Sequence, residues 1–249
     1  MFGRIDVHSH LLPGIDDGCP QVDESIRCAR MLVAAGYTHS FCTPHVWPNL
    51  VNQTRDSISR WTKELQQAFD AAAVPLRLFP GGELNLNPQL VHEPPHRIVS
   101  LALADKYILA DMWADALPNW FESTIRWLQK EMRLTVILAH PERMRAVQDH
   151  PELADQFSDM GILLQGNLQC FGDRPDSYTR ITAERYLQED RYFVLGSDCH
   201  NSQGLLHRLT GLQNAIDLVG KEKIDLLTRE NPKQLLPVLP TRGEGRGEG

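Results

Sequence analysis

The chain has 249 residues, 42% of them apolar, enough to bury the core of one large α/β domain. A formal net charge of −7 and a pI near 5.8 argue against nucleic acid or an anionic membrane surface as the main partner. No run of 18 apolar residues occurs, and Arg4 and Asp6 interrupt any leader core, so a soluble, cytoplasmic protein without membrane insertion is expected.

Ile5 and Val7 mark a first short strand. Strand side chains alternate faces, so His8 and His10 leave its end on the same side, and Asp16-Asp17-Gly18 forms a turn. A helix is predicted from an Asp23 N-cap, with Ile26, Ala29, Leu32 and Val33 as its apolar stripe and Gly36 at its end. Tyr37 to Thr43 reads as a strand running into Pro44-His45, and Trp47 to Gln53 as a loop. Thr54 caps a helix carrying Ile58, Trp61, Leu65, Phe69 and Ala72. The strand Leu76 to Phe79 leads to Gly81-Gly82-Glu83, where paired glycines imply close backbone approach. After an irregular stretch from Pro88 to Ser100 come a strand from Lys106 to Ala110 ending at Asp111, a helix from Pro118 to Glu131, and a strand from Leu134 to Ala139 ending in His140-Pro141-Glu142-Arg143. Then follow a helix (Glu152 to Met160), a strand (Ile162 to Gly166) before Asn167, a helix (Ser177 to Glu189), and Arg191 to Leu195 leading into Asp198 and His200. Helices at Leu205 to Val219 and Lys221 to Glu230 complete a domain read as residues 1–240; the glycine-rich residues 241–249 are read as a disordered tail.

Strands alternating with helices imply a parallel sheet, and six of about seven strands end in a side chain able to bind a metal. In a β/α barrel such ends converge on one face, whereas an open sheet spreads them along a line. The candidates are His8, His10, Asp17, His45, Glu83, Asp111, His140, Asp198 and His200. Imidazoles and carboxylates without thiolates suit Mn, Fe or Zn in a hydrolytic site, and nine donors exceed the needs of one ion. His39, His92, His96, His150 and His207 are read as ordinary histidines, and Ser9 and Cys199 as packing residues turned away from the metals. Asp6 suggests a hydrogen bond to an imidazole or, equally, a buried salt link. Cys19, Cys28, Cys42, Cys170 and Cys199 include no C-x-x-C pair, which fits a reducing compartment.

The motifs Asp6-Val7-His8-Ser9-His10, Asp16-Asp17-Gly18, Thr43-Pro44-His45, Gly82-Glu83, Ala139-His140-Pro141-Glu142-Arg143 and Ser197-Asp198-Cys199-His200-Asn201 together resemble the polymerase and histidinol phosphatase (PHP) superfamily. Within it they are most similar to the manganese-dependent bacterial protein-tyrosine phosphatases of capsule and exopolysaccharide operons. The resemblance implies a distorted (β/α)7 TIM-like barrel (the PHP fold) and three Mn2+ ions. It assigns His8, His10, Glu83 and Asp198 to one ion, Glu83, Asp111 and His140 to a second, and Asp17, His45 and His200 to a third, with Arg143 binding phosphate. Two departures stand out: the family usually has glutamate in place of Asp111, and an arginine sooner after the last motif than Arg208.

The expected activity is phosphomonoester hydrolysis by direct attack of a metal-bridging hydroxide, with Arg143 as a bidentate fork and His45 or His200 as candidates for proton donation. No cysteine is followed six positions later by arginine, so the C-x5-R loop of cysteine-dependent phosphatases is excluded. The partner implied by the resemblance is a phosphotyrosine protein, the tail of an autophosphorylating bacterial tyrosine kinase. Trp47, Phe171 and Tyr178 are loop aromatics that could meet an aryl ring. The alternatives are a histidinol-phosphate or sugar-phosphate phosphatase, an amidohydrolase, and a non-catalytic metal-binding module. Amidohydrolases often bridge their metals with a carboxylated lysine at a strand end, where none of the six lysines here stands and Glu83 is found instead. A regulatory module predicts a broken ligand set.

Overall fold

The computed structural model describes residues 2–237, so the tail from 241 and the boundary at 240 lie outside the described residues. The first half holds β1 (Arg4–Asp6), α1 (Val22–Ala34), β2 (Tyr37–Cys42), β3 (His45–Val46), α2 (Arg55–Ala71), β4 (Arg77–Pro80), β5 (Glu83–Asn85), β6 (Tyr107–Asp111) and α3 (Phe121–Lys130). The second holds β7 (Thr135–Ala139), α4 (Arg145–Asp149), α5 (Leu153–Asp159), β8 (Leu163–Asn167), α6 (Leu168–Gly172), α7 (Tyr178–Gln188), β9 (Val194–Gly196), α8 (Ser202–Val219) and α9 (Lys221–Asp225).

The strand pairings are parallel, in the orders β1-β2-β4 and β3-β5-β6-β7-β8-β9. These ladders are parts of one ring. The chain of β2 resumes as β3 after Pro44, which has no N–H to continue a ladder. The chain of β4 resumes as β5 after Gly81-Gly82. A Cβ on Gly81 would lie 2.9 Å from Leu101 Cδ2, and one on Gly82 2.7 Å from Val46 Cγ2, so the bend needs glycine. The ring closes where Ser9 bridges Cys199, with the Asp198 N–H donating to His8 O (2.7 Å) and the His10 N–H to Cys199 O (2.9 Å). Counting each interrupted pair as one strand gives a distorted (β/α)7 barrel.

Its interior is a small apolar cluster to which Ile5, Phe41, Phe79, Leu109, Ile137 and Val194 contribute from six of the seven strands. Leu163 of the seventh packs against it, and Leu235 joins it from the C-terminal segment. A larger core lies between barrel and helices, lined by Ile108, Val136, Leu138 and Leu164 from the sheet and by Leu32, Ile58, Phe69 and Ile125 from the helices. No helix among the described residues is long and apolar enough to cross a membrane.

Thr54, Ser177 and Asn201 cap α2, α7 and α8 through their side chains. Asp23 is not the cap of α1. Gln21 holds that position without a side-chain bond, and Asp23 and Glu24 sit in the first turn, where the helix end favours negative charge. The helices α4 and α6 were not read from the sequence; at five residues each they are too short to show a period. The segment read as one helix from Lys221 to Glu230 is α9 followed by a wider π turn at Leu226–Glu230.

Glu24 ties α1 to the start of α8 by accepting from the Ser202 N–H at 2.6 Å. The Ser202 hydrogen bonds, with Arg27 beside it, hold the Glu24 carboxyl down to about 2 from an ordinary 4.5. This stabilisation is therefore complete above pH 4.5 and lost as pH falls toward 2. Glu24→Gln is expected to lower Tm at pH 7, and the gap to the parent should narrow steadily below pH 4.5 in thermal melts.

Candidate metal centre

Every one of the nine candidate donors reaches the mouth at the C-terminal ends of the strands. His8, His10 and Asp17 follow β1, His45 and Glu83 open β3 and β5, Asp111 ends β6, His140 follows β7, and Asp198 and His200 follow β9. They form four overlapping groups: His8–His10–Asp198, His8–Glu83–His140, His45–Glu83–Asp111 and His10–Asp17–His45–His200. Two donors stand on left-handed backbone, His140 (φ 36°) and Asp198 (φ 52°), strain of a kind that concentrates at functional positions.

The middle of the cluster is tight. His8 Nε2 lies 3.2 Å from His10 Nε2, 3.4 Å from Glu83 Oε1 and 3.4 Å from Asp198 Oδ1. His10 Nε2 lies 3.5 Å from Glu83 Oε2 and 3.3 Å from Asp198 Oδ1. A tetrahedral ion with bonds of about 2.1 Å has ligand atoms about 3.4 Å apart, so the spacing is that of a coordination shell. On the other flank, His45 Nδ1 is 2.7 Å from Glu83 Oε2, His45 Nε2 is 3.2 Å from Asp17 Oδ1, and His200 Nε2 is 3.4 Å from the same Asp17 oxygen.

Neighbouring side chains decide which nitrogens face inward. His8 Nδ1 is 2.9 Å from Gln165 Oε1, and the Gln165 amide nitrogen is spent on Gly166 O. His10 Nδ1 is 2.7 Å from Asp16 Oδ2. Each Nδ1 therefore donates outward, and the two Nε2 atoms are left facing one another across the centre. Asp16 also accepts from the backbone N–H of His45 and of Gly18, both at 3.0 Å, so one carboxylate fixes an imidazole, a turn and a strand start. Asp198 shares its oxygens similarly: Oδ2 accepts from Asn167 Nδ2 (2.8 Å) and Arg143 Nη1 (2.9 Å), leaving Oδ1 to the histidines.

The electrostatics carry an excess of negative charge. Burial alone would raise Glu83 and Asp198, but the surrounding imidazoles, His8 foremost, hold both well below the usual carboxylate range. Burial would likewise lower His10, yet Asp16 together with Asp198 and Glu83 keeps it well above an ordinary histidine. Asp111 is driven far up by burial and by the charge on Glu83. Without a cation the cluster must recruit protons. Asp111 Oδ2 is buried without a hydrogen-bond partner, and Glu83 Oε2 and His45 Nδ1, though 2.7 Å apart, are not aligned as a hydrogen bond. Such orphans are what cations of oxygen and nitrogen preference would satisfy, and the donor set fits them.

The donors line a cleft of about 240 Å³ together with Trp47, Trp113, Gln169, Arg143 and Arg208. Arg208, later in the chain than the resemblance implies, enters from α8: its Nε donates to Ser197 O at 2.8 Å. A Cβ on Gly204 would come within 2.7 Å of its Nη1, so glycine leaves room for the guanidinium.

Asp6 forms neither the imidazole bond nor the salt link read for it. It accepts from Ser197 N–H (2.8 Å) and Ser197 Oγ–H (2.5 Å), locking the last motif onto β1, and burial raises its carboxyl to about 6. Ser9 donates to Phe41 O at 2.7 Å and Cys199 is buried in the outer core, both clear of the cluster. Among the aromatics, Phe171 is buried and Tyr178 is stacked under Arg145, so only Trp47 of that group lines the cleft. Gln165, Asn167 and Trp113 went unnoticed in the sequence. A glutamine or asparagine near a strand end carries no spacing signal, and Trp113 follows Asp111 in an ordinary loop.

Fold and site thus define a (β/α)7 barrel with a histidine–carboxylate cluster at its catalytic-face mouth. The chain belongs to the family described as "Capsular polysaccharide synthesis, CpsB/CapC", which it matches over residues 4–237. It is 28% identical over 240 residues to the tyrosine-protein phosphatase YwqE of Bacillus subtilis (strain 168), covering 93% of this chain and 91% of that one. It is 23% identical over 250 residues to the tyrosine-protein phosphatase CpsB of Streptococcus agalactiae, covering 93% and 98%. Its fold matches a crystal structure from work on YwqE of Bacillus subtilis and CpsB of Streptococcus pneumoniae, described as unique metal-dependent tyrosine phosphatases, with a TM-score of 0.83, 24% identity and coverage of 93% and 94%.

Asp16→Ala removes the acceptor of three buried or half-buried donors, each charge-assisted bond being worth roughly 1.5–3 kcal/mol. A loss of about 3 kcal/mol or more in urea unfolding is expected, measured with chelator present so that folding alone is read.

Proposed function

We propose that this protein is a metal-dependent protein-tyrosine phosphatase, with Mn2+ as its native ion. The observation that carries the reading is the pair of imidazole Nε2 atoms 3.2 Å apart, flanked by two carboxylates and opening onto a cleft with two arginines. His8, His10, Glu83 and Asp198 would hold one cation. Glu83, which belongs to two of the donor groups, would be shared with a second held by Asp111 and His140, and Asp17, His45 and His200 would hold a third. When bound, such ions neutralise phosphoryl oxygens and bring the pKa of water toward neutrality.

The chain's own groups supply the rest. Arg143, about a quarter exposed, is held by Asp198 through one nitrogen, and its remaining N–H groups are suited to phosphate oxygens. Arg208 offers a second guanidinium in the same cleft. Asn167 occupies Asp198 Oδ2 and so keeps that carboxylate pointed at the histidines through Oδ1. Tyrosinate is a modest base with a pKa of about 10, so little help from an acid is needed; with a cation held beside Asp17, neither His45 nor His200 would have a free N–H to supply it. No cysteine is among the cleft's lining residues, which argues against a cysteinyl-phosphate intermediate. The expected substrate is a phosphotyrosine segment of another protein, the tail of a bacterial tyrosine kinase being the natural one.

Chelation is expected to abolish phosphotyrosine hydrolysis, and added Mn2+ to restore it more fully than Mg2+. His8→Ala and Asp198→Ala should each lower kcat/KM by at least 10³-fold, roughly the scale at which removal of a key electrostatic group acts. Undiminished turnover in either would contradict the reading. A panel of phosphotyrosine peptide, histidinol phosphate and a sugar phosphate should rank the peptide first; if histidinol phosphate leads, the small-molecule alternative takes its place.

Gln165→Leu leaves His8 without its acceptor. Loss of such a partner typically costs 10- to 100-fold in metal affinity, so about that shift in the Mn2+ concentration for half activity is expected.

A further inference from the structure

Trp113 is 57% exposed, an unusual position for the largest apolar side chain, yet it lines the same cleft as the nine donors. Its ring centroid lies 6.1 Å from that of His140, and the Arg143 guanidinium carbon sits 4.8 Å over it. Trp47 also lines the cleft, but its ring is already packed on His45, with centroids 4.3 Å apart. Trp113 is thus the more exposed of the two tryptophans at the rim, Trp47 being half-buried.

We propose that Trp113 is the residue that makes the site prefer aryl over alkyl phosphomonoesters, by stacking on the aryl ring and steadying Arg143. The inference rests on the phosphatase reading and adds to it the origin of substrate choice. In an aryl phosphate a single ester oxygen separates phosphorus from the ring. With the phosphoryl group against the donors and Arg143, the ring therefore lies at the cleft rim, where Trp113 stands. An alkyl phosphate such as phosphoserine has no π face to offer. Arg143 joins the two functions, since one side of its guanidinium meets Trp113 while Nη1 bonds Asp198. A tryptophan left open in a cleft otherwise built of charged donors has a use when a planar apolar group arrives with a phosphate.

The test compares Trp113→Ala and Trp113→Phe with the parent as Mn2+-loaded enzymes. The expected result is a fall of about tenfold or more in the ratio of kcat/KM for phosphotyrosine to that for phosphoserine with Trp113→Ala, arising mainly in KM, while Trp113→Phe stays within about threefold of the parent. An unchanged ratio in Trp113→Ala overturns the proposal, whether or not both rates fall together. Binding is read separately by tryptophan fluorescence during titration with phenylphosphonate and methylphosphonate, which are not hydrolysed. Quenching by the phenyl compound that disappears in Trp113→Phe supports the platform; equal quenching in parent and variant overturns it. If the parent hydrolyses no phosphomonoester, the phosphatase reading fails while the fluorescence experiment still decides whether Trp113 receives an aryl group.

Discussion

Two imidazole Nε2 atoms held 3.2 Å apart inside the barrel mouth are the constraint on which the rest of the structure turns. Neither ring can escape by turning over, because Gln165 and Asp16 each claim the Nδ1 on the far side. Glu83 and Asp198 add charge to the same few ångströms, and the only inexpensive resolution is positive charge between them. Protons can serve, as the high-lying His10 and Asp111 indicate, but Asp111 Oδ2 has no aligned hydrogen-bond partner for them to bridge to. Divalent cations would answer both needs at once. The polar groups behind the donors follow the same logic: each fixes one face of a donor so that the other is committed to the centre.

Barrel geometry explains how residues nearly two hundred positions apart in the chain achieve this. Closure between Ser9 and Cys199 sets the first and last motifs side by side, and Asp6 reinforces it by taking both donors of Ser197. The two interruptions in the sheet act on the opposite flank. Proline at 44 and paired glycines at 81 and 82 end one ladder and start another, and Glu83 then pairs with His45 in register. An unbroken ladder would have carried those side chains along the regular alternation. The distortion and the cluster are one design.

Much of this was legible in the sequence because barrel strands bring their C-terminal ends to one face, so a donor after each strand is enough to assemble a centre. His8, His10, His140, Asp198 and His200 could be placed from strand patterns alone, whereas the strands read as ending before Pro44-His45 and Gly81-Gly82 in fact resume there as β3 and β5. Strand limits were read closely because β-branched and apolar runs are bounded by polar turns. What was hidden depended on three-dimensional partnership. Gln165 and Asn167 look like any polar residues near a strand end, and Asp6 could be seen to face inward without its partner Ser197 being evident. Arg208 seemed too far along the chain, yet a helix rises only about 1.5 Å per residue, so from the second turn of α8 its long side chain still reaches the cleft. The first turn of α1 misled for a local reason: acidic residues are favoured both as caps and just inside them.

The most direct test of the central claim is anomalous diffraction at the manganese edge from crystals grown with Mn2+. Peaks lodged between His8, His10, Glu83 and Asp198, with further peaks toward His140 and toward His45 and His200, are the result this account requires. Crystals saturated with Mn2+ that show no anomalous signal among these side chains, with His8 and His10 still facing one another, would contradict it.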